Sequence, residues 1–233
     1  MSTLQDAGPF TQLRAGALPA RLVQLLLGLA LYGWSLALMV RGGMGVAPWA
    51  VLDTGIARHA PLSLGGSVIA VSVLLLVAVW PWLGEKPGLG TLLNAVLVGV
   101  FVDLSLVVLP AVSSPAVEIV LMVGGVVLNG VATGLYIGAA FGRGARDGVM
   151  TGIARRTGRA LRPVRTAIEL AVLLLGVALG GSLGVGTVVY ALAIGPLVQL
   201  TLPWFDRGAS AAATSGARRQ SRLTPSRRSG AMP

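Results

Sequence analysis

Six continuous apolar runs, each near the length that crosses a bilayer as a helix, divide this chain of 233 residues and leave little of it for anything else. A spanning helix needs about 20 apolar residues to traverse roughly 30 Å of hydrocarbon. Runs of that order lie at 22–41, 62–84, 89–109, 117–141, 166–181 and 184–204, the fifth being short and flanked by glycines. They are continuous rather than alternating, which favours helices over the strands of a barrel. With 55% hydrophobic and 11% charged residues and a mean hydropathy of +0.82, the chain is too apolar for a soluble domain. The reading is an all-α polytopic membrane protein whose first partner is the lipid bilayer. It comprises an N-terminal segment (1–21), a membrane domain (22–206) and a basic tail (207–233) of Ser, Ala and Arg that is expected to be disordered.

Two stretches about 97 residues apart spell the same pattern. Gly28, Gly33 and Gly45 fall opposite Gly125, Gly130 and Gly142, and Thr54-Gly55-Ile56-Ala57-Arg58 recurs as Thr151-Gly152-Ile153-Ala154-Arg155. One residue of slip later, Gly88-x-Gly90-Thr91 recurs as Gly184-x-Gly186-Thr187. Each copy, 22–110 and 117–206, holds three apolar runs, an odd number, so the copies are expected to cross the membrane in opposite senses as inverted repeats.

Arginine placement orients the chain. Arg14 and Arg21 precede the first run, seven arginines from Arg143 to Arg165 separate the fourth from the fifth, and Arg207 to Arg228 follow the sixth. All three segments fall on one side of a six-span topology, which the positive-inside rule makes cytoplasmic. A bacterial inner-membrane location with both termini in the cytoplasm follows. The net charge of +10 therefore reflects membrane sidedness rather than nucleic-acid binding, and the tail arginines suit anionic lipid. There is no cysteine and only one histidine, His59, so thiolate, haem-attachment and His-paired zinc chemistry are unavailable. No metal site, cofactor or enzymatic activity is expected.

The connections after the first run of each copy carry the most information. Residues 43–58 and 142–156 are too short to cross and too apolar for solvated loops, and each reads as a glycine-rich break followed by a short helix. The block Gly45-x-Ala47-Pro48-Trp49-x-Val51-Leu52, the block Pro87-Gly88-Leu89-Gly90-Thr91-Leu92-Leu93-Asn94-Ala95 and the block Arg146-Asp147-Gly148-Val149-Met150-x-Gly152 resemble the YczE/YyaS/YitT family of bacterial integral membrane proteins, in its YczE-like branch. The resemblance spans about 22 to 206 and implies an inner-membrane protein without implying an activity. In that family the tryptophan is usually followed by Asp, which here is Ala50; Ala50 lies opposite Asp147, and Asp53 one turn later is a candidate substitute.

A broken helix in each inverted copy is the architecture in which transporters hold a solute, because unpaired backbone groups persist in a membrane only when buried or lining a wet cavity. Helix N-termini at the breaks would favour an anionic group. Pro48, Trp49, Asp53, Asn94, Arg146 and Asp147 are thus candidate solute or gating residues. The competing reading makes both segments interfacial helices, with Trp49 at the headgroups. Asp103 sits inside the third run, where an ionised carboxylate facing lipid costs about 2.5 to 3.5 kcal/mol, so it is expected to face the bundle interior. Its counterpart Gln199 is also polar, which suggests a paired interior site and makes Asp103 the candidate for proton coupling. Glu169 reads as an ordinary i,i+4 partner of Arg165, and Glu118 as a helix N-terminal acid. Gly130, Gly134 and Gly138 form a stripe for tight helix packing, within the bundle or between protomers of a homo-oligomer. The functional expectation is a small-solute transporter working by alternating access. The other class is an accessory membrane protein binding a partner or lipid through the basic loop and tail.

Overall fold

The computed structural model describes residues 9–206, so the expected disordered tail and residues 1–8 lie outside the described residues. Among the described residues all regular structure is helical: α1 (Pro9–Arg14), α2 (Leu18–Gly42), α3 (Pro48–His59), α4 (Leu64–Leu74), a π-helical turn (Leu75–Val79), α5 (Trp80–Leu83), α6 (Leu89–Val108), α7 (Pro115–Gly138), α8 (Ala145–Thr157), α9 (Leu161–Ala178) and α10 (Val185–Phe205). Prolines open α2, α3 and α7, where the missing N–H costs nothing. The first membrane-length helix, α2, begins at Leu18. From α4 through α5 the chain is one rod, Leu64–Leu83, and its π-helical turn lies just before Pro81, whose ring cannot accept a regular turn behind it.

Five helices are long and apolar enough to span: α2, the Leu64–Leu83 rod, α6, α7 and α10. Their outward faces carry exposed Val77, Val107 and Leu192, as lipid contact requires. The run expected at 166–181 is instead α9, displaced toward the N-terminus. It takes in Arg162, Arg165 and Glu169 and stops before Gly180, whose φ of +68° ends the helix.

The centre of the bundle is α2 against α7. In the first half of α2, Gly28 faces Leu135 and Tyr136 close to the end of α7, whereas Gly42 at the end of α2 faces Glu118 and Met122 in the first third of α7. The two helices are antiparallel, so the breaks that follow them lie at opposite ends of the bundle. Each break is clasped by the other half of the chain. Gly186 N–H donates to the Met44 carbonyl at 2.7 Å, and Gly90 N–H donates to the Phe141 carbonyl at 2.8 Å. These partners are the residues set opposite one another in the aligned copies. The stripe Gly130, Gly134 and Gly138 lies against Leu197, Thr201 and Phe205 of α10, within the chain.

Two glycines make the clasps possible. Gly45 and Gly142 have φ of +104° and +109°, and a methyl on them would fall 2.6 Å from the Gly184 nitrogen and 2.8 Å from the Thr91 hydroxyl. Gly45→Ala and Gly142→Ala are each expected to cost about 1–3 kcal/mol. Thermal unfolding in detergent should show both midpoints lowered, with Gly124→Ala, which meets open space, unaffected or stabilised.

The second bend has an additional tie. Arg21, fully buried, donates from Nε to the Ala139 carbonyl at 3.0 Å and from Nη2 to the Ala140 carbonyl at 2.9 Å, and its guanidinium lies 4.3 Å from the Phe141 ring centre. It satisfies carbonyls left over at the end of α7, a service a helix C-terminus otherwise draws from a glycine cap.

Candidate functional site

The two short helices that follow the breaks, α3 and α8, begin at a common cavity. Ala47, Pro48 and Trp49 line it from α3, and Gly144, Arg146, Asp147 and Met150 from α8. The space within it open to water-sized molecules is about 60 Å³, room for a few waters in this arrangement. The remaining walls come from α2, α4, α6, α9, α7 and α10, so nearly every long helix contributes.

Asp53 and Arg146 join the halves. One nitrogen of Arg146, Nη2, donates to both Asp53 oxygens at 3.0 and 2.8 Å, with the carboxylate fully buried. The guanidinium lies 5.1 Å from the Trp49 ring centre, within cation–π reach. Ala50, opposite Asp147 in the aligned copies, is buried, and Asp53 lies buried one turn further on. Asp147 accepts a short hydrogen bond from the Tyr136 hydroxyl. Asn94, from α6, reaches the same corner: a methyl placed on Gly144 would lie 3.1 Å from Asn94 Oδ1, 3.1 Å from Asp147 Oδ2 and 3.3 Å from the Tyr136 hydroxyl.

Several lining residues were not singled out from the sequence. All three tyrosines of the chain, Tyr32, Tyr136 and Tyr190, line the cavity. The Tyr32 and Tyr136 rings meet edge to face at 6.1 Å, and Tyr190 donates to Asn129 Oδ1 at 3.0 Å. Their one common signal is that each interrupts an apolar run. Arg165 and Glu169 are paired at 2.8 Å as their spacing suggested, but they form part of the cavity wall rather than an ordinary surface pair.

Asp103 and Gln199 depart from expectation. Asp103 Oδ1 accepts from the Gly65 N–H at 2.8 Å and Oδ2 from the Ser63 hydroxyl at 2.5 Å, so it caps α4 and ties it to α6 away from the cavity. Gln199 is exposed on α10, and the two form no paired interior site. The difference is one of packing. α6 has α4 against it, whereas α10 lies chiefly on α7 and barely touches α9.

The cavity has a close contact of α4 with α6 toward one end and a second cavity at the other. At the Asp103 end, α4 and α6 approach so closely that a methyl on Gly65 would fall 2.0 Å from the Gly99 carbonyl oxygen. At the opposite end a second cavity between α7, α8 and α9 shares Asp147, Met150 and Arg165 with the first and is also lined by Arg143 and Thr151. Beyond it Arg155 pairs with Glu85 at 3.0 Å, and Arg156 donates to the Trp82 carbonyl and lies over the Trp82 ring. Among the described residues no cluster of three metal-ligating side chains occurs.

Residues 19–203 match a family of unknown function, DUF6198. The chain is 36% identical over 178 residues to an uncharacterized protein of Haemophilus influenzae, covering 76% of this chain and 81% of that one. It is 33% identical over 177 residues to the uncharacterized membrane protein YczE of Bacillus subtilis (76% and 82% of the two chains), and 25% identical over 184 residues to YyaS of the same organism (78% and 92%). No solved structure matches.

Proposed function

We propose, for a chain that belongs to the DUF6198 family and is an integral, multi-pass membrane protein, that it moves a small solute by alternating access. The observation that carries this reading is the ion pair between Asp53 and Arg146. It joins the second turn of α3 to the first turn of α8, two helices that each follow a break, from opposite ends of the bundle, beside one central cavity. An inverted duplication accounts for this meeting. Trp49 and Arg146 are counterparts in the aligned copies and stack on each other, as positions beside a twofold axis must. The reciprocal clasps of Met44 on Gly186 and Phe141 on Gly90 follow from the same relation. On this reading α9 is the sixth crossing, its charges tolerated because Arg165 and Glu169 face the cavity and each other rather than lipid. The end carrying Arg155, Arg156, Arg159 and Arg162 is cytoplasmic, in a bacterial inner membrane, and the second cavity lies toward it.

The accessory-protein reading draws less support, since Arg155 and Arg156 of the basic loop are engaged within the chain. A cross-link separates the two. The chain has no cysteine, so Ser63→Cys with Asp103→Cys gives a single reactive pair at the α4–α6 contact. An untargeted comparison of metabolites in cells with and without the protein should show a solute retained or released. Oxidation of the pair should abolish that difference and reduction restore it. A metabolite difference that survives complete cross-linking would rule out alternating access by opening of this contact.

A further inference from the structure

A groove between α8 and α9 shares no lining residue with the central cavity or the one beside it. Ile153 of α8 and Val164, Ala167 and Ile168 of α9 line it, and its space open to water-sized molecules is about 440 Å³, against about 60 Å³ in the central cavity. No acid lines it. Arg159, in the turn between the two helices, does, and Arg162 stands three residues on in the first turn of α9. Both arginines are exposed, and among the described residues neither is paired with an acid: Asp53, Glu85 and Glu169 are taken by Arg146, Arg155 and Arg165. α9 begins beside them without a side-chain cap or an acid in its first turn, so its dipole adds to the same sign.

The groove lies where headgroups give way to chains. Arg156, three residues before Arg159, lies over the ring of Trp82, which is 60% exposed at the end of the Leu64–Leu83 rod, and aromatic residues so placed mark the membrane interface. Further along α9, Leu170 and Leu174 are exposed, as lipid contact requires. An occupant must therefore be apolar along the groove and anionic at the arginines. Residues 207–233 hold six arginines and no acid, so the tail has the wrong charge for this place. A twofold contact between two copies would likewise bring like charges together. A phospholipid with a net negative headgroup meets both demands.

We infer that the α8–α9 groove holds an acyl chain of an anionic phospholipid of the cytoplasmic leaflet, with Arg159 and Arg162 on its phosphate. The choice of leaflet rests on the topology proposed above, whereas the binding does not. Val164 and Ile168 share α9 with Arg165 and Glu169, so the lipid lies behind one wall of the central cavity. The full chain, delipidated in detergent, is titrated with phosphatidylglycerol or phosphatidylcholine of identical chains, and bound lipid is counted by native mass spectrometry. Phosphatidylglycerol should bind about thirtyfold tighter, roughly fivefold for each arginine. Inorganic phosphate at the same concentration should not displace it, since a headgroup alone leaves the groove empty. Arg159→Gln with Arg162→Gln should bring phosphatidylglycerol down to the phosphatidylcholine level. Ala167→Trp, at an exposed position, should weaken both lipids by filling the groove. Arg218→Gln with Arg219→Gln, the same loss of charge in the tail, should change nothing. Equal affinity for the two lipids, displacement by phosphate, loss of binding in the tail variant, or phosphatidylglycerol binding undiminished in both groove variants overturns the proposal. Lipid binding as expected, in a protein whose metabolite difference survives the cross-link, would keep this site and discard alternating access.

Discussion

Asp53→Asn is expected to lower the thermal unfolding midpoint of the purified protein by about 10 °C, corresponding to about 3–5 kcal/mol. The wild-type pair is out of water, with Asp53 fully buried and Arg146 mostly so. Neutralising the carboxylate leaves a guanidinium in the bundle with only the Trp49 face beside it. Arg146→Gln alone should cost a similar amount by stranding the carboxylate. The double variant Asp53→Asn with Arg146→Gln should recover much of the loss, since neither buried charge remains, giving a coupling of at least 2 kcal/mol. Additive losses would mean that the two side chains do not depend on each other. Because this pair is the main polar contact between the two broken segments, the double variant should also be stable yet impaired in whatever the cavity does.

Much of the cavity was legible in the chain because its polar residues cluster where the helix pattern fails. Gly45 and Gly142 mark the breaks, and Pro48, Trp49, Asp53, Arg146 and Asp147 follow within a few positions, so a search for helix interruptions finds them together. Asn94 lies beyond the breaks, but it belongs to a block that repeats, and it too meets the cavity. The tyrosines were not legible. An isolated Tyr in a run of Leu and Val serves equally as packing or as an interfacial anchor, and only the fold shows that Tyr32, Tyr136 and Tyr190 converge. Arginine was misleading in a different way. Sidedness treats all basic residues alike, whereas Arg21 binds backbone carbonyls, Arg146 a buried acid and Arg165 a cavity acid. Asp103 and Gln199 went astray because these helices are apolar on nearly every face. Periodicity then cannot say which side is interior. Asp103 found a partner in the neighbouring helix N-terminus, and Gln199 in α10 had no neighbouring helix to meet.

That asymmetry between the halves leads to the second large effect. Gly99 and Gly195 are counterparts, yet Gly99 is clasped by Gly65, with a methyl there only 2.3 Å from the Gly65 carbonyl oxygen, while Gly195 faces open space. If the halves exchange roles, Gly195 should become clasped as Gly99 is released. Gly65→Leu is therefore expected to force α4 from α6, since its nearest obstacle is backbone, the Gly99 carbonyl, which cannot swing aside as a side chain can. A single-cysteine reporter at Ser72, on the cavity wall, should then react at least tenfold faster with a membrane-impermeant maleimide applied at the Asp103 end. A reporter at Thr151 in the opposite cavity should react more slowly from its own end. Gly195→Leu should do the reverse, leaving the present arrangement undisturbed and blocking the exchanged one. Either leucine would stop a transport cycle, but they would trap it at opposite ends. Identical labelling in both variants would mean that the α4–α6 contact is a fixed joint and not a gate.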